Sequence, residues 1–302
     1  MKSTGPDEPK RDFRGYGRQP PAVAWPNGAR LAMSFVVNYE EGAEYSLADG
    51  DDHSETHGVS YGMPSTLRDL RAESTYEYGS RVGVWRLMRL FAQYGIKVTF
   101  FASALAIERN PDVGALIREE GHEAAGHGWR WIDAWKLSEQ EERESIRRAV
   151  QSIERMCGSR PVGWNTRGGP TVRTRRLLIE EGGFTYDSDA TNDDLPYYDE
   201  VGGRRLLVIP YTRVMNDGRF VNPPTYASAS DFLEDCRRGV RYLWREAEQG
   251  GRLATIALHT RLIGEASRMD ALRELLDYVC GLDSVWIARR ADIAAWWSAN
   301  YR

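Results

Sequence analysis

From Leu31 onward the chain repeats one pattern: a short, nearly unbroken apolar run, then a longer stretch in which apolar residues recur every three or four positions. The short runs are LAMSFVV (31–37), KVTFFAS (97–103), HEAAGH (122–127), VGWNT (162–166), FTYDS (184–188), LLVIP (206–210), LATIALH (253–259) and SVWIA (284–288). Runs of this length bounded by turn residues read as strands, and continuous rather than alternating apolar character marks strands covered on both faces. Between them, SRVGVWRLMRLFAQYG (80–95) and LSEQEERESIRRAVQSIERMCG (137–158) read as amphipathic helices. The second opens with Ser138 and Glu141 at capping-box spacing and stops at Gly158.

About eight strands alternating with helices predict an α/β fold built on a parallel sheet. A closed (β/α) barrel over 31–302, forming one domain, is preferred to an open doubly wound sheet because of where the polar residues fall. Asn38, Glu40 and Glu41 follow the first run, His127 the third, Arg167 the fourth, Asp187 and Asp189 the fifth, and His259 ends the seventh. In a barrel these carboxyl ends share one rim, where active sites sit. The segment 42–79, acidic around Asp49–Asp52, has no clear period and is expected to cover that rim as a loop or lid. Residues 1–30 are polar and proline-rich and predict a non-core N-terminal arm, laid on a surface or exchanged with another subunit; a homo-oligomer is expected.

Composition narrows the function classes. With 302 residues, 41% of them hydrophobic, the chain can bury a large core. Forty basic against 44 acidic residues leave a formal charge of −4, which offers no general attraction to nucleic acid or to an anionic membrane. Cys157, Cys236 and Cys280 are too few and too scattered for a disulfide framework or a zinc ribbon. No apolar run approaches membrane-spanning length and the N-terminus lacks a signal-like core, so a soluble, cytoplasmic protein is expected.

Five segments carry candidate chemistry. In Asn38-Tyr39-Glu40-Glu41-Gly42 either acid could be a general base for water, with the other orienting it. His127 ends a strand between Gly126 and Gly128, whereas His122 starts the same strand and reads as structural. Trp129, Trp131 and Trp135 offer a stacking wall for a flat ligand or simple packing. Arg167, in a sharp turn before Pro170, could clamp a carboxylate or an oxyanion. Asp189 suits a supporting shell, and His259, ending a buried strand, is the candidate general acid. Asp52-His53 with His57 has metal-like spacing but lies in a loop without helical support.

In this order the segments resemble the five motifs of the polysaccharide deacetylase (NodB-type, carbohydrate esterase family 4) superfamily, over roughly 31–297. Asn38 to Gly42 is similar to that family's T-F-D-D-G, where one Asp is the base and the other a metal ligand. His127-Gly128-Trp129-Arg130-Trp131 is similar to its H-[ST]-x-x-H, with Trp131 at the second histidine position. Arg167 with Pro170, Asp187 to Asp189, and Leu258-His259 resemble the third, fourth and fifth motifs. The departures, together with Glu77-Tyr78-Gly79-Ser80-Arg81, resemble the metal-independent branch of allantoinases and cyclic-imide hydrolases.

That resemblance implies a hydrolase opening a small cyclic amide without a bound metal: Glu40 or Glu41 activating water, His127 positioning, Arg167 at the oxyanion, His259 protonating the leaving nitrogen. Asn38, Trp129, Trp131 and Asp189 would bind or orient the substrate. A metal would supply several kcal/mol by polarising the carbonyl, and a ring nitrogen acylated on both sides leaves easily enough to manage without it. The alternative is a zinc-dependent de-N-acetylase with Glu41, His127 and a third ligand from 49–57.

Overall fold

The computed structural model of the protein describes residues 9, 11–58 and 62–301; residues 1–8 and 10 of the expected arm and 59–61 of the expected lid lie outside the described residues. The first strand, β1 (Leu31–Tyr39), is buried along its whole length. Because side chains alternate across a strand, Leu31, Met33, Phe35, Val37 and Tyr39 join the main core with the helices, while Ala32 and Val36 fall in separate clusters. Asn38 shares the parity of Val36, which brings its amide to the mouth of the sheet's inner face.

The remaining strands are β2 (Thr99–Ala102), β3 (Glu123–Gly126), β4 (Gly163–Trp164), β5 (Tyr186–Asp187), β6 (Tyr197–Val201), β7 (Arg204–Val208), β8 (Arg252–His259) and β9 (Val285–Ile287). They form one sheet in the order β6-β7-β5-β4-β3-β2-β1-β8, with β9 also paired to β1. Among the described residues only the β6–β7 pairing is antiparallel. The expected closed barrel is realised as a curled, open (β/α) half-barrel: among the described residues no ladder joins β8 to β6 or β7. The stretch 209–217 lies along β8 instead, tied by Thr212 Oγ1 accepting from the Thr255 amide at 3.0 Å and by a bridge between Asn216 and Ala257. β6 escapes a reading of apolar runs because Tyr197–Val201 is polar and half-exposed at the sheet's edge.

Helices α1 (Leu70–Tyr78), α2 (Val84–Gln93), α3 (Ala104–Arg109), α4 (Pro111–Glu119), α5 (Glu139–Cys157), α6 (Thr174–Glu181), α7 (Ala229–Glu246), α8 (Thr260–Ile263), α9 (Ala266–Cys280) and α10 (Arg290–Asn300) complete the fold. α5 has the predicted capping box and ends on Gly158 with φ 78°. α1 lies inside the segment read as aperiodic; it buries only Ala72 and Tyr76, and the Asp69 carboxylate caps it at the amides of Arg71 and Ala72. A single π-helical turn, Gly79–Gly83, joins α1 to α2. Such turns commonly mark functional sites.

Residues 11–22 are largely exposed, but Val23, Trp25 and Ala29 are buried. Trp25 packs 6.0 Å from Trp286 and 5.9 Å from Trp297, and its Nε1 donates to the Arg252 carbonyl at 2.9 Å. Arg290, fully buried, donates to Ser188, Thr255 and the carbonyls of Ile209 and Pro210. Val36, Phe101, Ala125 and Ala257 form an apolar layer between this arginine and the rim. No helix of the described residues is long and apolar enough to cross a membrane.

Candidate active site

The carboxyl ends of β1, β3 and β8 bring Glu40, His127 and His259 together. Glu40 Oε1 lies 3.4 Å from His127 Nε2 and 3.7 Å from His259 Nε2, and Oε2 accepts from Arg261 Nη1 at 2.7 Å. Each imidazole is oriented through its other nitrogen. His127 Nδ1 donates to the Asn165 carbonyl at 2.7 Å, and His259 Nδ1 donates to Asp217 Oδ1 at 2.6 Å. A carbonyl can only accept, so Nδ1 of His127 carries the proton and Nε2 is the acceptor position of the neutral ring. Burial alone would raise the Glu40 pKa, but Arg261 and His259, joined by His127 only when its second nitrogen is also protonated, outweigh it and hold the carboxyl well below the usual carboxylate range. Burial would likewise lower that of His259, yet Asp217 and Glu40 raise it, favouring the imidazolium.

Glu41 is turned away from this centre. Its Oε2 accepts from the Glu40 amide at 3.1 Å, and Oε1 from the Arg261 amide at 3.2 Å and from Arg261 Nη1 at 3.4 Å. The geometry thus separates two acids that the sequence left equivalent: Glu40 faces the imidazoles, and Glu41 pins the backbone on either side. The Glu77–Arg81 stretch provides its seat. A Cβ on Gly79 would stand 2.5 Å from Glu41 Oε1, and Ser80 Oγ hydrogen-bonds Tyr39 Oη at 2.8 Å and accepts from Asn110 at 3.0 Å.

The other expected residues divide between support and packing. Asn38 Nδ2 donates to Tyr211 Oη at 3.1 Å and to the Leu258 carbonyl at 3.3 Å. Asp189 accepts from the Thr166 amide and hydroxyl, each at 2.6 Å, and from Asn165 at 3.2 Å, so it braces the residue that orients His127. Burial and the neighbouring Asp187 push its pKa up to about 7. Asp187 itself is bound by Arg175 at 2.6 Å. Trp129 departs from the expected stacking wall: its indole packs against the main core and is covered by Arg148, 3.2 Å from the ring centroid.

Arg167, expected at an oxyanion, is instead engaged by Glu55 and by the Trp131 carbonyl. Its guanidinium lies 3.8 Å from the centre of the Trp131 ring, and that of Arg261 lies 5.0 Å from the same ring. Trp131 is therefore a buried platform between two cations rather than a free wall for ligand. The covering segment is fixed from below: Asp49 by Arg109 at 2.6 Å, Asp51 by Arg130 at 2.8 Å, and Ala43 through its carbonyl to the Trp131 amide at 2.9 Å. Asp52 and His53 pair with each other at 2.5 Å.

These residues do not fit the three-ligand divalent centre that the motif resemblance implies. Trp131 stands at the second histidine position, and both Glu41 oxygens are held by Glu40 and Arg261, so Glu41 is not available beside His127. The acids of the 49–57 loop are taken up in the pairs just described. Among the described residues no group of three His, Cys, Asp or Glu side chains is arranged to hold a metal ion.

Asp217 and Arg261 were missed by the sequence reading. Asp217 opens a 3₁₀ turn (Asp217–Phe220) in a stretch with no recognisable motif, and only its placement beside β8 gives it a role. Arg261 follows His259 by two residues, and that adjacency was the one available signal.

The half-barrel, with an acid–histidine cluster on its rim, defines a class of hydrolases acting on carbon–nitrogen bonds of amides, and comparison with known proteins agrees. The polysaccharide deacetylase family model matches residues 66–186. A putative polysaccharide deacetylase of Schizosaccharomyces pombe is 35% identical over 316 aligned residues, covering 96% of this chain and 98% of the relative. The chain belongs to the polysaccharide deacetylase family. Among solved structures, PuuE allantoinase is 42% identical with a TM-score of 0.92, covering 96% of this chain and 98% of the other. A probable polysaccharide deacetylase from Pseudomonas aeruginosa PAO1 is 43% identical with a TM-score of 0.91 and the same coverage.

Proposed function

We propose that the protein hydrolyses a small cyclic amide, a hydantoin-like ureide or cyclic imide, using side chains alone to activate water. The observation that carries this reading is Trp131, held between Arg167 and Arg261 where an imidazole ligand would otherwise sit. The similarity to PuuE allantoinase over nearly the whole chain supports the same substrate class. So does the chemistry: a ring nitrogen acylated on both sides departs as a weaker base than a simple amine, so the reaction needs less electrophilic help.

In this mechanism water sits against Glu40 Oε1, between the two imidazoles. Glu40 takes one proton as the water oxygen bonds to the carbonyl carbon, and the carbonyl electron pair moves onto oxygen. Nε2 of His127 accepts the second water hydrogen or a ring N–H and so fixes the attacking geometry. The tetrahedral intermediate collapses, the carbon–nitrogen bond breaks with its electron pair on nitrogen, and His259 Nε2 supplies the proton. Asp217, fully buried, holds the imidazolium in place and stabilises its charge. Expected turnover is with allantoin, hydantoin or succinimide, and it survives exhaustive chelation. Activity abolished by chelation and restored by zinc, or turnover confined to N-acetylated sugars, rejects the reading.

A further inference from the structure

Arg261 is buried, with its side chain 3% exposed, yet it uses little of its hydrogen-bonding capacity on the protein. A guanidinium has five N–H donors. Nη1 serves Glu40 at 2.7 Å and Glu41 at 3.4 Å, while Nε and Nη2 donate to no acceptor among the described residues. Neither of those nitrogens is among the sealed, unsatisfied atoms of the interior, such as Nε of Arg30 and of Arg130, so neither is fully closed off. Buried charged donors normally find partners. The group is also held in place: its backbone amide is bound by Glu41, and its Cζ lies 4.7 Å from the Tyr76 ring centre and 5.0 Å from that of Trp131.

We infer that the free Nε and Nη2 edge of Arg261 receives the oxygen of the scissile carbonyl and carries its charge when water adds. This rests on the hydrolytic reading above. Glu40 touches Arg261 with one oxygen and faces the imidazoles with the other, so the guanidinium is the cation next to the water-activating carboxylate on the side away from the imidazoles, where the oxygen of an attacked carbonyl can reach it. The electron pair displaced from the carbon–oxygen double bond rests on that oxygen, against two fixed N–H groups, and returns as the carbon–nitrogen bond breaks. The acceptor is a neutral carbonyl, not a carboxylate. Glu40, Glu41 and Asp217 already set three acids against Arg261 and His259, so a further anion arriving from water would be repelled, whereas the oxyanion forms only as Glu40 takes the water proton and leaves two carboxylates against two cations. Arg261 thereby supplies the electrophilic help that a Lewis acid gives elsewhere.

The test compares an oxo substrate with its thiocarbonyl analogue at the scissile position, hydantoin against thiohydantoin, because sulfur is a poor hydrogen-bond acceptor. Arg261→Lys keeps a cation beside Glu40 but removes the fork. Its kcat on the oxo ring is expected to fall about 10²–10³-fold. Its kcat on the thio ring is expected to fall at least about tenfold less, so the wild-type preference for oxygen collapses. Equal losses on both rings, or no loss, overturn the proposal and leave Arg261 only a support for Glu40. If the lysine variant does not fold, Arg261→Ala with added guanidinium is read in the same way. Should neither fold, the wild type decides: an oxo-to-thio rate ratio within twofold of that for hydroxide in solution overturns it. A wild type that deacetylates sugars and opens no ring rejects the ring-opening reading alone; the comparison then moves to N-acetyl against N-thioacetyl sugars and still judges Arg261.

Discussion

Replacing Gly79 by alanine tests whether Glu41 holds the catalytic turn from behind. The new Cβ would stand 2.5 Å from Glu41 Oε1 and 2.8 Å from its Cγ and Cδ, so the carboxylate must retreat by roughly 1 Å to reach ordinary contact. Its hydrogen bonds to the amides of Glu40 and Arg261, at 3.1 and 3.2 Å, cannot survive that shift. Each is a charge-assisted bond worth ~1.5–3 kcal/mol when its partner is left buried, so a net loss of about 3 kcal/mol follows. At ~2.1 cal/mol/K per residue of unfolding entropy, this lowers Tm by about 5 °C. The Glu40 backbone loses its anchor as well, and a misplacement near 1 Å costs on the order of 10² in kcat. Calorimetry and single-turnover kinetics on a cyclic amide read the two effects separately. A Gly79→Ala protein with wild-type melting and wild-type kcat would refute the role given to Glu41 and to the π-helical turn that seats it.

Other consequences can be checked with the same assays. Glu40→Gln should remove activity by more than about 10³-fold while the protein stays folded, and Glu41→Gln should cost more in Tm than in kcat; the reverse ranking would exchange their roles. The pH–kcat profile should have its acid limb below 4.5 and its alkaline limb above 6.5, because Glu40 is shifted down and His259 up from those values. Asp217→Asn removes a neighbour that stabilises imidazolium, so the alkaline limb should move to lower pH and kcat should fall about 10²–10⁴-fold; an unmoved limb excludes Asp217 from the proton transfer. Arg167→Ala frees Glu55 and should raise KM several-fold and speed proteolysis within 43–58, with kcat within about threefold of wild type; a kcat collapse at unchanged KM would return Arg167 to the reaction itself.

Much of the scaffold was legible because burial writes itself into composition. LAMSFVV has to be a strand covered on both faces, and Ser138, Glu141 and Gly158 mark the ends of a long helix with their own chemistry. The rim residues Glu40, His127 and His259 were legible because each follows such a strand. What was not legible depends on contacts between distant segments. The closure of the sheet is one case: it is replaced by the stretch 209–217 lying along β8, and nothing in the strand sequences announces a missing ladder. The distinction between Glu40 and Glu41 is another, since it is made by Arg261 and Gly79, far away in the chain. Arg167 illustrates the limit from the other side. Its place on the rim was visible, but its partner Glu55 sits in a segment without periodicity, and that partner decides what the guanidinium does.

The position of Trp131 bears on how such a centre can change over generations. Placing an imidazole there would strip both arginines of the surface that fixes them and leave Glu55 and Glu40 beside loosened counter-charges. A single exchange at this position therefore removes the support of Arg167 and Arg261 at once. The tryptophan, its two arginines and their acids are thus mutually dependent, and substitutions among them are expected to be tolerated only as a block.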